Sequence, residues 1–311
     1  MRYERRRKKK KRKWKAVFSF FLLLIIFIVG YSYVQYKNGL SQSLEKAEGE
    51  ERFQEEYEFN GRKDKHGGIN ILILGSDSRE GEQARADTIM IGSYNPGKES
   101  YKLISIMRDT YINIPGHGEN RINAAFALGG PELLRETIKE NFDLDIQYYA
   151  ILDFDGFIHL IDEAFPNGVK IEVEKEMSKN IGVTLKPGVQ YLDGEHLLGY
   201  VRFRHDAVGD FGRVQRQQKV VRELGSQLAN FGTLAKLPKL IGVVTPFINT
   251  NMNGADMIYI GKDFLKEKNR NVETLRIPVD GAWENKRIRG AEVLAINLDE
   301  NKAALHEFLS K

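Results

Sequence analysis

The chain has 311 residues, 41% of them hydrophobic, enough for one sizeable domain or two small ones. It contains no cysteine, which excludes a disulfide framework, a cysteine-ligated zinc site and a thiol nucleophile. Residues 1–15 hold eleven Lys or Arg and one Glu, a net of +10 against +4 for the whole chain, so the remainder carries −6 and argues against a nucleic-acid-binding face.

Met1–Lys15 is therefore a basic tail, and Ala16–Val34 follows with no charge before Lys37. Nineteen helical residues span about 29 Å, close to the hydrocarbon thickness of a bilayer. Trp14 stands at one end of the run and Tyr31, Tyr33 and Tyr36 at the other, where interfacial aromatics belong. No small-x-small cleavage site follows, so residues 16–36 are expected to form an uncleaved single-pass anchor rather than a signal peptide. Positive charge on the short flank keeps residues 1–15 cytoplasmic and puts the rest outside. Abutment on the apolar run makes the basic block a topology determinant rather than a nuclear-type signal or a DNA-binding arm. Residues 37–68, charged and poor in large aliphatics, are expected to be a stalk, leaving 69–311 as the folded domain.

Ile69–Leu74 (INILIL) is short, apolar and stopped by Gly75, as a strand buried on both faces would be. Thr88–Gly92 and Lys102–Met107 read as two more strands. The gaps are too short for crossover helices, so neighbours are expected to be antiparallel. That topology brings Asp77, Asp87 and Arg108–Asp109 to one rim of the sheet. Arg121–Gly129 and Pro131–Asn141 read as helices, Tyr148–Leu152 as a strand, Phe154–Ile161 as a helix after Asp153, and Val169–Val173 as a strand. Asp193 is placed to cap Gly194–Tyr200. Leu234–Ile248, Asp256–Lys266 and Asn301–Leu309 are expected to be helices and Val272–Ile277 a strand. The mixture predicts a three-layer α-β-α domain with a mixed central sheet behind a single transmembrane helix.

Val201–Gln218 (VRFRHDAVGDFGRVQRQQ) holds Arg202, Arg204, Arg213 and Arg216, with Asp206 and Asp210 between them. Guanidinium forks grip oxyanions bidentately, so this density reads as a phosphate clamp. A helix from about Phe211 to Asn230 would put Val220, Val221, Leu224, Leu228 and Phe231 on its buried stripe, and stepping back lands on Gln217 and Arg213. Both then sit inward in the first turns, where free amides and the dipole favour an anion. Carboxylates from loops, without clustered His or Cys, favour a hard ion such as Mg2+, which needs only one or two of them; Asp77 and Asp87 fit. Arg, Asp and a metal suffice for phosphoryl transfer. Ser76 and Ser78 lack a histidine partner, His205 stands alone, and Gly129–Gly130 matches no phosphate loop.

NILILGSDSR, RADTIM, SIMRDTYINIPG, RINAAFALGGPELL, LDGEHLLGYVRFRHDAVGDFGR and RQQ, in this order over about residues 69–230, resemble the LytR-CpsA-Psr family. The Phe165–Val169 turn departs from its usual pattern, away from the charged positions, and Met107 stands where many members have proline. The resemblance implies a cell-wall phosphotransferase of Gram-positive bacteria that moves a glycopolymer, such as teichoic acid, from a polyprenyl-pyrophosphate carrier to the muramic acid 6-hydroxyl of peptidoglycan. It implies Mg2+ at Asp77 and Asp87, and pyrophosphate at Arg108, Arg202, Arg204, Arg213 and Gln217, with Arg79, Arg85, Arg121 and Asp210 in support. A hydrophobic lipid pocket is implied too, with Phe154–Ile161 and Leu237–Phe247 as candidate walls. Asp77, Asp109 and Asp210 remain alternatives for the base. The competing functions are a lipid-pyrophosphate hydrolase and a non-enzymatic envelope regulator.

Overall fold

The computed structural model describes residues 2–46, 57–65, 67–76, 86–228, 235–266 and 272–311. Its first element is a continuous helix, α1, over Arg2–Lys46. Within it Ser19–Glu45 is the one segment among the described residues long and apolar enough to cross a membrane.

Six strands form the central sheet: β1 (Ile69–Ser76), β2 (Ala86–Asn95), β3 (Ser100–Ile106), β6 (Tyr148–Leu152), β9 (Ile248–Thr250) and β10 (Glu273–Ile277), in the order β10-β3-β2-β1-β6-β9. β1–β2 and β2–β3 pair antiparallel, as the short connections required. β1 pairs parallel with β6, and β3 with β10, which makes the sheet mixed.

Period-2 alternation sorts the strand residues between two faces. Leu72, Leu74, Ile89, Ile91, Ile104 and Ile106 pack with Leu134, Ile138 and Phe142 of α2 (Asn123–Phe142) and Leu305 of α8 (Leu298–Ser310). Met90 and Leu103, with Ile73, face the other way onto Val221 of α5 (Asp210–Leu228) and Phe264 of α7 (Gly254–Lys266). These are the three layers. A second core joins Ile161 of α3 (Phe154–Ala164), Leu197 and Tyr200 of α4 (Gly194–Arg202), Val220 of α5, and the hairpin of β7 (Val169–Val173) and β8 (Gly188–Leu192). Asp153 and Asp193 cap α3 and α4, accepting from the amides of Gly156 and His196.

Four differences from the sequence reading have local causes. Arg121 ends strand β5 (Gly118–Arg121), paired with β4 (Thr110–Ile114), instead of opening a helix; its partner is Tyr111. The α2 segment keeps the two expected helical pieces but as one element kinked at Gly129–Gly130. The helix after residue 234 is shorter: α6 covers Leu237–Val244, and Pro246, lacking an amide proton, leads it into a 3-10 turn at Thr245–Phe247 and then β9. A hairpin of β11 (Trp283–Ile288) and β12 (Ala291–Ile296) was not expected. Its two turn residues, Arg289 and Gly290, both have positive φ, and its charged outer strand lacks an apolar alternation. β12 lies beside β4, and the Leu294 amide donates to the Asp109 carbonyl at 2.9 Å.

The folded body also begins before Ile69. The Tyr57 ring meets Phe126 and Tyr149, Phe59 packs on Tyr149 at 4.9 Å, and the Asn60 amide donates to Glu132. The Arg62 amide donates to the Ile146 carbonyl at 2.8 Å. Aromatic burial at Tyr57 and Phe59 thus ties in a stretch that composition alone marks as stalk.

Candidate active site

Register brings the charged positions together. Gly75 lies opposite Thr88 and Ile89 opposite Ile106, so Asp87 and Arg108 emerge at the rim where β1 ends. There the Arg108 Nη1 donates to Asp87 Oδ1 in an ion pair. Arg108 Nε lies 3.6 Å from Asp109 Oδ2, and Arg121 Nη1 donates to Asp109 Oδ1 at 3.2 Å.

The first turns of α5 meet this rim from the face they cover. Arg213, only 6% exposed, donates through Nη2 to the Asp87 carbonyl at 3.1 Å and sits 2.9 Å from Asp210 Oδ1. Gln217 Nε2 donates to Thr88 Oγ1 at 3.0 Å, one position from Asp87. Gln218 fixes the helix on the sheet, donating to Ser105 Oγ and the Leu275 carbonyl, both at 3.0 Å. The inward placement of Arg213 and Gln217 is thus what the 3.6-residue period predicted.

Burial works against charge on Arg108, but Asp87, then Asp210 and Asp109, outweigh it and raise its pKa. On Arg213 burial wins: it lowers the pKa, Arg108 and Arg204 push the same way, and Asp210 and Asp87 resist. Arg108, Arg204 and Arg213 thus crowd one rim, an arrangement of guanidinium groups suited to an anion. Two buried atoms reinforce it. Arg108 Nε and Arg213 Nε have no hydrogen-bond acceptor among the described residues, a feature they share with Arg216 Nε off the rim. A buried unmet donor costs about 1–3 kcal/mol, and the oxygens of an oxyanion would meet it.

Arg202 and Arg204 flank the cluster differently. Arg204 is exposed, with Nη1 4.0 Å from Asp210 Oδ1. Arg202 ends α4 and has no carboxylate partner among the described residues; its guanidinium lies 4.4 Å over the Phe154 ring at the start of α3. No local spacing announces that stack, because the partners are far apart in sequence.

Arg216 is engaged elsewhere. Both it and Asp206 are buried, Nη1 pairs with Asp206 Oδ2 at 3.1 Å, and Nη2 donates to the Phe203 carbonyl at 2.6 Å. Asp206 also receives Lys175 at 3.1 Å and the amides of Val208 and Gly209. The pair holds the loop that carries Arg204, so Arg216 is a positioning residue where the sequence reading had it grip substrate. The helical step explains it: three residues past Arg213, it turns toward α4 instead of the sheet rim.

Asp77, Arg79 and Arg85 lie outside the described residues, as does Phe231. Among the described residues no cluster of three or more His, Asp or Glu could hold a metal. The described donor set still fits a hard ion that takes one or two carboxylates, since Asp87 offers oxygen ligands and its side chain is 40% exposed.

The family model LytR_cpsA_psr matches residues 30–307. Among curated proteins, the regulatory protein MsrR of Staphylococcus aureus (strain COL) is 45% identical over 82% of this chain and 78% of its own length. The polyisoprenyl-teichoic acid–peptidoglycan teichoic acid transferase TagU of Oceanobacillus iheyensis is 31% identical over 69% of this chain and 70% of its own. Among solved structures, the family protein YwtF (TagT) of Bacillus subtilis with bound octaprenyl pyrophosphate lipid superposes with a TM-score of 0.58 at 26% identity, covering 83% of this chain and 95% of that one. Fold and sequence therefore agree, and the chain belongs to the LytR-CpsA-Psr family.

Proposed function

We propose that the chain is a membrane-anchored phosphotransferase that moves a glycopolymer from a polyprenyl-pyrophosphate carrier to the muramic acid 6-hydroxyl of peptidoglycan. The carrying observation is the rim itself: Arg108 and Arg213 converge on Asp87, each with a buried Nε that has no acceptor among the described residues, beside Arg204 and an Arg202 with no carboxylate partner among the described residues. A pyrophosphate needs several guanidinium forks at once, and this rim supplies them. The relatives named above, a teichoic acid transferase and a lipid-bound structure, support the substrate class.

The reaction joins the acceptor oxygen to the phosphorus on the polymer side and breaks that phosphorus's bond to the bridging oxygen. Polyprenyl phosphate leaves, and the acceptor proton passes to a carboxylate. Arg108 and Arg213 neutralise charge on the transferring group, while Arg202 and Arg204 hold the leaving phosphate. Asp109 and Asp210 both stand within this field as proton acceptors, and Asp77 lies outside the described residues. Asp87 would hold Mg2+, with Asp77 as its partner from the sequence; the ion supplies charge neutralisation at the phosphate oxygens. In this reading α1 spans the membrane with the basic tail inside and the domain outside.

The test is transfer by the 311-residue chain in liposomes containing a polyprenyl-pyrophosphate-linked sugar, with Mg2+ and a peptidoglycan oligomer. Arg202→Ala and Asp87→Asn should lose transfer while staying folded. Lipid phosphate release without mass gain on the glycan would instead mark a hydrolase. Lipid binding with neither product would mark a regulator.

A further inference from the structure

The apolar run does not end in a free tether. Helix α1 continues past it to Lys46, and its outer part is packed on α6. The contact is backbone to backbone. A Cβ built on Gly39 would fall 2.2 Å from the Lys239 carbonyl oxygen, and one on Gly242 would fall 2.2 Å from the Tyr36 carbonyl oxygen. Ser43, one turn on, is 3% exposed. Gln42 Nε2 donates to Glu163 Oε2 at 3.1 Å, and Lys239 forms an ion pair with the same carboxylate.

These contacts set direction and height. Tyr36 meets Gly242, while Gln42 and Lys239 share Glu163, so α6 runs antiparallel to α1. α3 runs antiparallel to α6 in turn, because Glu163 pairs with Lys239 and Gly156 abuts Phe247; a Cβ on Gly156 would sit 2.4 Å from the Phe247 Cβ. The Thr245–Phe247 turn and the first turn of α3 therefore point back toward the apolar run. The Lys236 end of α6 points away, about 15 Å further along the axis at 1.5 Å per residue. Gly39 itself lies only about 8 Å past Val34 along the helix.

We propose that α1 is a fixed strut that seats this side of the domain on the lipid surface, with the start of α3 at headgroup level. The seat rests on the reading that α1 spans the membrane. Its consequence is chemical. Phe154 opens α3 and carries the Arg202 guanidinium at 4.4 Å, so this arginine, without a carboxylate partner among the described residues, is held beside the bilayer. A pyrophosphate on a membrane-embedded prenyl chain then meets its arginines near its own depth, and the chain need not be lifted clear of the lipid.

The natural chain has no cysteine, so single labels are clean. The 311-residue chain would be placed in phosphatidylglycerol–phosphatidylcholine liposomes with a fluorophore at Asp155→Cys, Lys236→Cys or Gly30→Cys, and quenched by nitroxide on the lipid headgroups or tails. Gln42→Cys/Glu163→Cys would be challenged with a short dimaleimide. The expected result is tail quenching at residue 30, severalfold stronger headgroup quenching at 155 than at 236, and an intrachain cross-link. Gly39→Leu should abolish the cross-link and level the 155 and 236 signals while leaving residue 30 quenched and the domain folded by circular dichroism. Quenching at residue 30 with equal signals at 155 and 236 and no cross-link in the unsubstituted helix would overturn the seat and leave the span intact. Absence of quenching at residue 30 would overturn the span and the seat with it.

Discussion

Replacing Arg216 by alanine separates a structural guanidinium from Arg213, the proposed anion ligand three residues earlier. Arg216 and Asp206 have side chains only 7% and 4% exposed, so removal of the arginine strands a carboxylate in the interior. Breaking a buried ion pair from one side costs about 3–5 kcal/mol. Lys175 still reaches Asp206 at 3.1 Å, which points to the lower end, about 3 kcal/mol. The lost contact between Arg216 and the Phe203 ring, 5.3 Å from its guanidinium, adds to the cost. At a urea dependence of about 1–3 kcal/mol per molar, the unfolding midpoint should fall by about 1–3 M. Arg204→Ala, exposed and 4.0 Å from its nearest carboxylate, should change stability by less than about 0.5 kcal/mol yet lose transfer. The assay is urea unfolding of the full chain in detergent micelles, followed by far-ultraviolet circular dichroism, with transfer measured on the same samples. The Asp206→Ala/Arg216→Ala double variant should cost clearly less than the sum of its singles. An Arg216→Ala protein with an unchanged midpoint and no transfer would refute the assignment and return Arg216 to the anion site.

Other consequences follow from the same contacts. Gly130→Ala should cost about 1–2 kcal/mol, because φ is 64° and the added Cβ would sit 3.0 Å from the Tyr57 ring; an unchanged melting temperature would contradict the kink geometry. The Asp206 side chain is buried and the exposed Glu174 carboxylate is partly desolvated, which works against their charge, but Lys175 with the Gly209 amide and Arg216, and Lys219 with Tyr200, outweigh it and lower their pKa values. Carboxylates depressed in the folded state stabilise it above their unfolded pKa near 4 and lose that contribution as pH falls. The urea midpoint should therefore drop between about pH 5 and pH 3, and a flat profile would contradict these pairs. Arg108→Lys keeps the charge but not the fork that meets Asp87, so transfer should fall at least about tenfold with stability nearly unchanged.

The parts legible in the sequence are those governed by short-range patterns. Buried strands at INILIL and its neighbours follow from apolar runs with short gaps, and their antiparallel order alone carries Asp87 and Arg108 to one rim. The helical period likewise turns Arg213 and Gln217 inward. What escaped depends on contacts distant in sequence. Nothing near Trp283–Ile288 betrays a strand, because its charged residues are held by pairing with β12 and not by burial. Arg216 looks like its neighbours until Asp206 and Phe203 close around it. Residues 37–46 read as a hydrophilic stalk, yet Gly39 and Gly242 let two backbones touch where side-chain polarity gives no hint.

The central claim is that the rim arginines transfer a phosphate-linked polymer and do more than bind it. The most direct measurement is mass spectrometry of a peptidoglycan oligomer incubated with the liposome-embedded chain, Mg2+ and a polyprenyl-pyrophosphate-linked sugar. A mass gain of one phosphate-linked sugar is expected, matched by polyprenyl phosphate release and lost with EDTA and in Arg202→Ala. Release of polyprenyl phosphate with an unmodified glycan, or mass gain that survives Arg202→Ala, would contradict it.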